Sequence, residues 1–321
     1  MKTVIFLTLM LSASFLFAQK TDISFHSYSY LDYDYQLTNF DSKDDSNKNT
    51  FKVDAFYFGA KAKISDKLSS RFTLKLTNLN EENNMNYIYA KYAYLDYRFT
   101  SKFNMRFGVI DSSIQSFTNK FWGKRFVAEN FGAKNKVWNS ANVGLSLRYN
   151  LGDILNASLD LINGSGFKSV KDDDENKELT LTLSSKIAKY LYLGLYGDYT
   201  IPFTGSNSNF KGTGFVGFKN SVIAIGYGLL LKNEESVMSL GHSLYSTLTI
   251  ADKYSLHLAA LYYDENTDTD NDTNLKIITG FNYIYSQNFS FALSTELEQK
   301  YIEGKESDLA TKVFVSTFMK F

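Results

Sequence analysis

The feature that most constrains the fold is an alternation of apolar and polar residues that recurs along most of the chain. In the final segment, Val313, Val315, Met319 and Phe321 alternate with polar neighbours up to the last residue. A period of two is typical of β-strands that have one apolar face. Sixteen such segments can be delimited: Ile23–Leu37, Phe51–Ile64, Arg71–Leu79, Tyr87–Phe99, Phe103–Val109, Asn142–Asn150, Ile154–Asn163, Glu178–Ile187, Tyr190–Thr200, Gly212–Lys219, Val222–Leu231, Leu240–Ile250, Tyr254–Tyr263, Leu275–Tyr285, Phe289–Gln299 and Leu309–Phe321.

The connections between these segments alternate strictly between short and long. The short ones are tight turns such as 65–67 and 100–102, whereas the long ones are polar and mostly acidic. Beyond residue 18 no apolar run is long enough to span a bilayer as a helix. We therefore predict an all-β fold, a transmembrane antiparallel β-barrel of 16 strands. A soluble all-β protein is the alternative, but it would not require the regular short and long connections.

The last strand predicts how the barrel closes. Backbone groups of a strand need partners, so a barrel must pair the segment ending at Phe321 with the segment beginning at Ile23. This ending also resembles the C-terminal strand of bacterial outer-membrane barrels, which finishes on an aromatic residue. That resemblance implies recognition of the strand ending at Phe321 by the barrel assembly machinery.

The first eighteen residues have the pattern of a secretory signal peptide. Lys2 precedes an apolar core that ends at Phe17-Ala18, and cleavage is expected after Ala18. We therefore divide the chain into a signal peptide, 1–18, and an outer-membrane β-barrel domain, 19–321. The expected location is the outer membrane of a Gram-negative bacterium, in contact with the lipid bilayer and lipopolysaccharide. The net charge of +0 argues against a nucleic-acid partner.

Sixteen strands enclose a water-filled lumen, so function depends on what narrows it. The third long connection, 111–140, is the one long enough to fold back into the lumen. It is basic, with Lys120, Lys124 and Arg125 close to Glu129, whereas the other long connections are acidic. We predict that this loop forms the constriction of the pore.

The arginines support a basic constriction. All five lie between the third and sixth strands, and the alternation directs the four on strands inward. These four are Arg71, Arg98, Arg106 and Arg148. One interpretation is that they line a constriction that prefers anions. The other is that those near short turns decorate the periplasmic rim or pair with Asp96 and Asp160.

Several short motifs resemble, in the same order, those of the phosphate-selective (O and P type) porin family. They are Tyr92–Phe99, Trp122–Arg125, Leu161–Gly164, Gly241–Tyr245, Ala259–Asp264 and Thr279–Tyr283. The resemblance implies a homotrimeric sixteen-stranded porin whose third loop carries basic residues into the channel. Lys120, Lys124 and Arg125 occupy the matching loop. The chain departs from the phosphate-specific members because it has no arginine after Arg148 to continue a ladder along the lumen.

Two other classes of function compete with a channel. An outer-membrane enzyme is disfavoured because the histidines, at 26, 242 and 257, are far apart, and adjacent His242 and Ser243 point to opposite faces. We predict no catalytic residue, no cofactor and no metal site. A non-conducting structural or adhesive barrel stays open as the alternative, since long polar loops would serve it equally well.

Overall fold

A computed structural model of the protein describes residues 21–38, 49–80, 85–152, 154–168, 175–203, 208–269, 272–302, 305–306 and 309–321. The predicted signal peptide and much of the acidic loops lie outside these residues. Sixteen strands form one sheet: β1 Asp22–Thr38, β2 Asn49–Lys63, β3 Leu68–Asn80, β4 Met85–Arg98, β5 Phe103–Asp111, β6 Ala141–Asn150, β7 Asn156–Ile162, β8 Lys177–Lys186, β9 Leu191–Ile201, β10 Phe210–Lys219, β11 Ile223–Glu234, β12 Val237–Ala251, β13 Tyr254–Asp264, β14 Thr273–Ser286, β15 Phe289–Ile302 and β16 Ala310–Lys320. Two helices, α1 Ser113–Trp122 and α2 Phe131–Lys134, lie between β5 and β6, and the two residues Lys305–Glu306 pair antiparallel with the end of β15.

The sheet is a closed antiparallel barrel, which confirms the predicted fold. Each strand pairs with its neighbours in the chain, and β1 also pairs with β16, with Tyr33 opposite Val315. Beyond β16, the backbone N–H of Phe321 donates to the carbonyl of Ser27 at 2.9 Å. The predicted seam between the first and last strands is therefore present.

One local irregularity follows the sequence, and one connection does not. The phase change near Phe56 predicted a bulge, and the register between β1 and β2 shifts at Asp54. The prediction of strict short–long alternation was wrong at β11 and β12. Their connection is only Glu235-Ser236, both at positive φ, 52° and 68°. Two successive positive φ values give the tight turn that matches strand twist, even without the usual Asn-Gly.

The two faces of the barrel differ in chemistry. Outward side chains are large, apolar and exposed, as at Leu195, Ile225 and Leu256. The alternate, inward residues are polar or covered by the connection between β5 and β6. Such an apolar exterior suits a lipid surrounding. Neither helix in the described part of the chain is long and apolar enough to cross a membrane.

A chain of ion pairs crosses the seam on the inner wall, here called the seam network. Its members alternate in sign along β2, β1, β16, β15 and β14 and end on α2. They are Lys52, Asp34, Lys312, Glu296, Lys276, Glu298 and Lys134, joined in that order at distances of 2.9, 3.5, 3.7, 2.8, 3.0 and 3.9 Å. The network links the first and last strands to the inserted connection.

Candidate functional site: the lumen of the barrel

The connection between β5 and β6, residues 112–140, enters the barrel and is here called the septum. Its first turn is capped by Ser112, whose Oγ accepts from the backbone N–H of Gln115 at 3.5 Å. Its helix ends at Gly123, in the left-handed conformation at φ 72°, with the N–H donating to Asn119 at 2.8 Å. The segment is therefore a capped helix followed by turns, rather than an irregular loop.

The inner wall is hollowed by glycines where α1 docks. A Cβ atom on Gly217 would lie 2.5 Å from Cε2 of Phe121, and one on Gly226 would lie 2.6 Å from Cε1 of the same ring. On β9, a Cβ on Gly194 would lie 2.7 Å from Phe117. Real Cβ atoms do not approach so closely, so the missing side chains make the space that the helix fills.

Aromatic residues then seal the septum against the wall formed by β9–β13. Phe121 packs edge-on against Phe215, with ring centroids 5.0 Å apart, and Trp122 lies 4.7 Å from Tyr245. One continuous apolar cluster results. Its septum members are Ile114, Phe121, Trp122, Phe126, Val127, Phe131, Val137 and Trp138. This side of the lumen is therefore dry and packed like a protein interior.

Arg106 and Arg148, two predicted constriction residues, meet at the base of the septum. Arg106 donates to Asp96 and Asp111, both at 2.6 Å, and Arg148 donates to Asp111 at 3.2 Å. All four side chains are largely buried. Charge-assisted bonds of this kind fix the end of β5, where the septum begins. Their positive charge is neutralised locally and contributes little to the field in the lumen.

Arg125 lies where the septum approaches the opposite wall, at β1 and β2. Its guanidinium is 3.5 Å from the Asp54 carboxylate and 4.0 Å from Glu129, and it lies 5.7 Å from the ring centroid of Tyr30. Glu129 is half-exposed. Arg125 and Glu129, both predicted site residues, thus form one group with Asp54, which the bulge in β2 directs inward.

Lys120 and Lys124 lie elsewhere, toward the short-turn ends of β10 and β13. The Lys120 side chain is exposed, while its carbonyl accepts from the ammonium of Lys219 at 3.4 Å. Lys124 is buried and donates to Ser255 at 3.3 Å. Burial, helped by the nearby Lys219 ammonium, lowers the pKa of Lys124 to about 8.

The eight predicted residues therefore do not form a single cluster. Arg98 is exposed at the end of β4, whose backbone contacts the turn at Lys67. The alternative pairing of rim arginines with Asp96 and Asp160 is not found. Asp96 binds Arg106 instead, and Asp160 accepts from Ser146 and Thr180.

Arg71 remains, and it belongs to a different surface on the inner wall at β1–β4. This surface, called here the tyrosine–cation wall, consists of Tyr28, Tyr30, Tyr57, Tyr92, Lys61, Arg71 and Lys75. None of its three cations has a carboxylate partner within 4 Å among the described residues, unlike Arg106 and Arg148. Three positive charges are therefore close together here without a carboxylate at ion-pairing distance.

The rings of the wall are close together. Tyr28 stacks on Tyr57 at 4.4 Å, and Arg71 lies over Tyr92 at 4.2 Å. The hydroxyls of Tyr28, Tyr30, Tyr57 and Tyr92 have no hydrogen-bond partner in the described part of the chain. None of these four oxygens is completely buried, although the Tyr57 residue as a whole is only 7% exposed. The wall thus offers cations and phenol groups that no other residue uses.

Sequence reasoning missed this wall because it concentrated on arginine. The alternation on β1–β4 gives the signal that could have found it, since Tyr28, Tyr57, Lys61 and Lys75 all share the inward parity. What the sequence could not supply is which cations would find carboxylates across the lumen.

Comparison with known proteins was made at the level of sequence and of structure. No protein-family model and no curated protein matches the sequence. Among solved structures, OmpT of Vibrio cholerae superposes with a TM-score of 0.67 at 12% identity, covering 95% of this chain and 99% of that one. OmpF of Salmonella typhi, in complex with daunomycin, gives 0.69 at 9% identity, covering 93% and 97%. An anion-selective porin from Comamonas acidovorans gives 0.65 at 13% identity, covering 94% and 100%. The chain therefore has the sixteen-stranded barrel fold of these proteins over nearly its whole length.

Proposed function

We propose that the protein is an outer-membrane porin through which small hydrophilic solutes diffuse passively, with a preference for anions. The observation that carries the anion preference is the tyrosine–cation wall, whose Lys61, Arg71 and Lys75 lack carboxylate partners among the described residues. A lumen wall with uncompensated positive charge raises the local concentration of anions and lowers that of cations. The fold shared with an anion-selective porin supports the same proposal.

The septum supports a role in permeation rather than in catalysis. It divides the lumen into a packed side and a side that presents charged and hydrogen-bonding groups, which is what a selective passage needs. We also propose that three basic residues of the septum add positive charge to the passage: Arg125, which lies close to the wall, and Lys120 and Lys124, which lie toward the short-turn ends of β10 and β13. The non-conducting structural or adhesive barrel is the less favoured alternative.

The same proposal implies where the protein is located and what it contacts. We infer an outer-membrane location reached through the signal peptide, contact with lipid and lipopolysaccharide, and insertion by the barrel assembly machinery through the strand that ends at Phe321. A homotrimer is the proposed assembly, supported by a solved trimer form of the Vibrio cholerae OmpT with TM-score 0.64. No cofactor is proposed.

Planar-bilayer recording of the purified protein tests the function. We expect stepwise conductance and, across a KCl gradient, a reversal potential with the sign of anion preference. A protein that inserts but stays electrically silent would favour the structural or adhesive alternative. Conductance with cation preference would contradict the role given to the wall while leaving the channel intact.

A further inference from the structure

We propose that the tyrosine–cation wall recognises carboxylates that also carry hydroxyl groups, the chemical class of hydroxy acids and sugar acids. The inference rests on the proposed function, because a solute reaches this wall only if the barrel conducts. It names the class of solute that the open side of the lumen would favour over simple inorganic anions.

Arg71 is the group that would bind the carboxylate. Its Nε donates to Thr73 Oγ1 at 3.2 Å, and its guanidinium lies over the Tyr92 ring at 4.2 Å. These two contacts fix the plane of the group. The terminal nitrogens have no hydrogen-bond acceptor among the residues that the structure describes, so a planar fork of donors is left available. Such a fork matches the two oxygens of a carboxylate.

The other arginines show why Arg71 is distinctive. Arg106 uses its donors on Asp96 and Asp111, and Arg148 also binds Asp111. A carboxylate in solution could bind them only by displacing a carboxylate of the protein. Arg71 needs no such exchange, and neighbouring Lys61 and Lys75 add positive charge without directional demands.

The tyrosines are the groups that would bind the hydroxyl groups of the solute. A phenol both donates and accepts a hydrogen bond, as does an alcohol, so the two are complementary. Tyr28 and Tyr57 are opposite each other on β1 and β2 and stack at 4.4 Å, which holds their hydroxyl ends on one side of the wall. With no partner among the described residues, these groups exchange water for a solute at little cost. Chloride can use a donor but cannot donate to an acceptor.

The wall as a whole therefore matches a solute with a planar anionic end and a hydroxylated remainder. An unsubstituted carboxylate would use Arg71 but leave the phenols hydrated by water. Phosphate shares oxyanion chemistry with carboxylate, and the experiment must separate the two.

Lactate and propionate are the decisive probes because they have the same carbon skeleton and differ in one hydroxyl. The full mature protein in planar bilayers is placed between chloride on one side and lactate, propionate or phosphate on the other, and permeability ratios are read from reversal potentials. We expect lactate to exceed propionate by about threefold, the worth of one net hydrogen bond, and phosphate not to exceed lactate.

Two variants assign the effect to its parts. Tyr28→Phe with Tyr57→Phe keeps both rings and should abolish the lactate–propionate difference while leaving the propionate-to-chloride ratio unchanged. Arg71→Lys keeps the charge but loses the planar fork, so both carboxylates should fall relative to chloride. Tyr227→Phe, on the outward face, is the matched control and should change neither ratio.

Equal permeability of lactate and propionate in a conducting protein would overturn this inference and leave the porin proposal standing. Phosphate passing better than every carboxylate would also overturn it, as would a lactate preference that survives in the double phenylalanine variant. An electrically silent protein would overturn the proposed function and this inference together.

Discussion

The two sides of the lumen use aromatic residues in different ways. On the β9–β13 side, aromatic rings such as Phe215 and Tyr245 are covered by the septum and exclude water. On the β1–β4 side, Tyr28 and Tyr92 lie next to cations, and their hydroxyls have no hydrogen-bond partner among the described residues. The difference arises from glycine hollows on one wall and unpaired charges on the other. The number of aromatic residues alone therefore does not show which side of the lumen is packed and which is open.

Removing the unpaired charges should test the comparison most severely. Replacing Lys61, Arg71 and Lys75 together by Gln should reduce the anion preference strongly, because it removes three cations that have no carboxylate partner among the described residues, whereas Arg125 lies beside Asp54. The measurement is the reversal potential in a KCl gradient. Three exposed lysines on short turns, Lys67, Lys102 and Lys253, provide a control with the same change in net charge. If the control variant loses as much selectivity, the wall has no special role.

Filling the glycine hollow should disturb the packed side. In a variant with Gly217→Ala and Gly226→Ala, the new methyl groups must push Phe121 away from the wall. We expect a loss of about 1–3 kcal/mol in stability from overpacking. Single-channel conductance should fall, because the septum moves toward the open side.

The matched control for that change is Gly214→Ala. Gly214 faces outward, and the nearest atom to an added Cβ is Leu195 Cδ2 at 3.9 Å. It should alter neither heat stability nor conductance. A double-alanine variant with conductance equal to that of the control would show that the septum does not depend on this hollow.

The seam network connects the two sides, and its carboxylate on β1 can be neutralised. Asp34→Asn should cost about 1–3 kcal/mol, because Lys52 and Lys312 lose a common partner in a largely buried position. The temperature at which the folded barrel unfolds in detergent is the readout. Asp66→Asn removes an exposed turn carboxylate paired with Lys63 and should have no measurable effect. Equal losses in both variants would argue against a seam role.

The smallest expected effect concerns pH. Burial and Lys219 lower the pKa of Lys124 to about 8, so this ammonium loses its charge as pH rises through that value. Anion preference should therefore decline slightly between pH 7 and pH 9. Lys124→Arg stays charged throughout and should remove this part of the decline. An identical pH profile in the arginine variant would mean that Lys124 is not sensed by permeating ions.

Much of the architecture was predictable because the alternation of inward and outward side chains is visible in the sequence of every strand. The pairing of β1 with β16 and the bulge near Asp54 both follow from alternation. The turn at Glu235-Ser236 was missed because neither residue is usual at positive φ. The helix α1 was missed although Ile114, Phe117 and Phe121 have helical spacing before Gly123, a signal available in the sequence.

The lumen was less predictable, for a physical reason. Whether an arginine contributes to the field depends on its carboxylate neighbours, and Arg148 meets Asp111 only through folding, 37 residues apart in the chain. Parity gives the direction of a side chain, but not the partner it finds. Which positive charges lack a carboxylate partner is therefore decided only when the barrel has closed.

The glycine hollow also sets an order of events during biogenesis. The septum precedes β6 in the chain, but the surface that receives α1 is contributed by Gly194, Gly217 and Gly226, on strands that are made later. Until β9, β10 and β11 have joined the sheet, the rings of Phe121 and Trp122 have no site to occupy. Docking of the septum is therefore a late step, and a chain arrested after β8 would leave the aromatic rings of this segment uncovered and prone to aggregation.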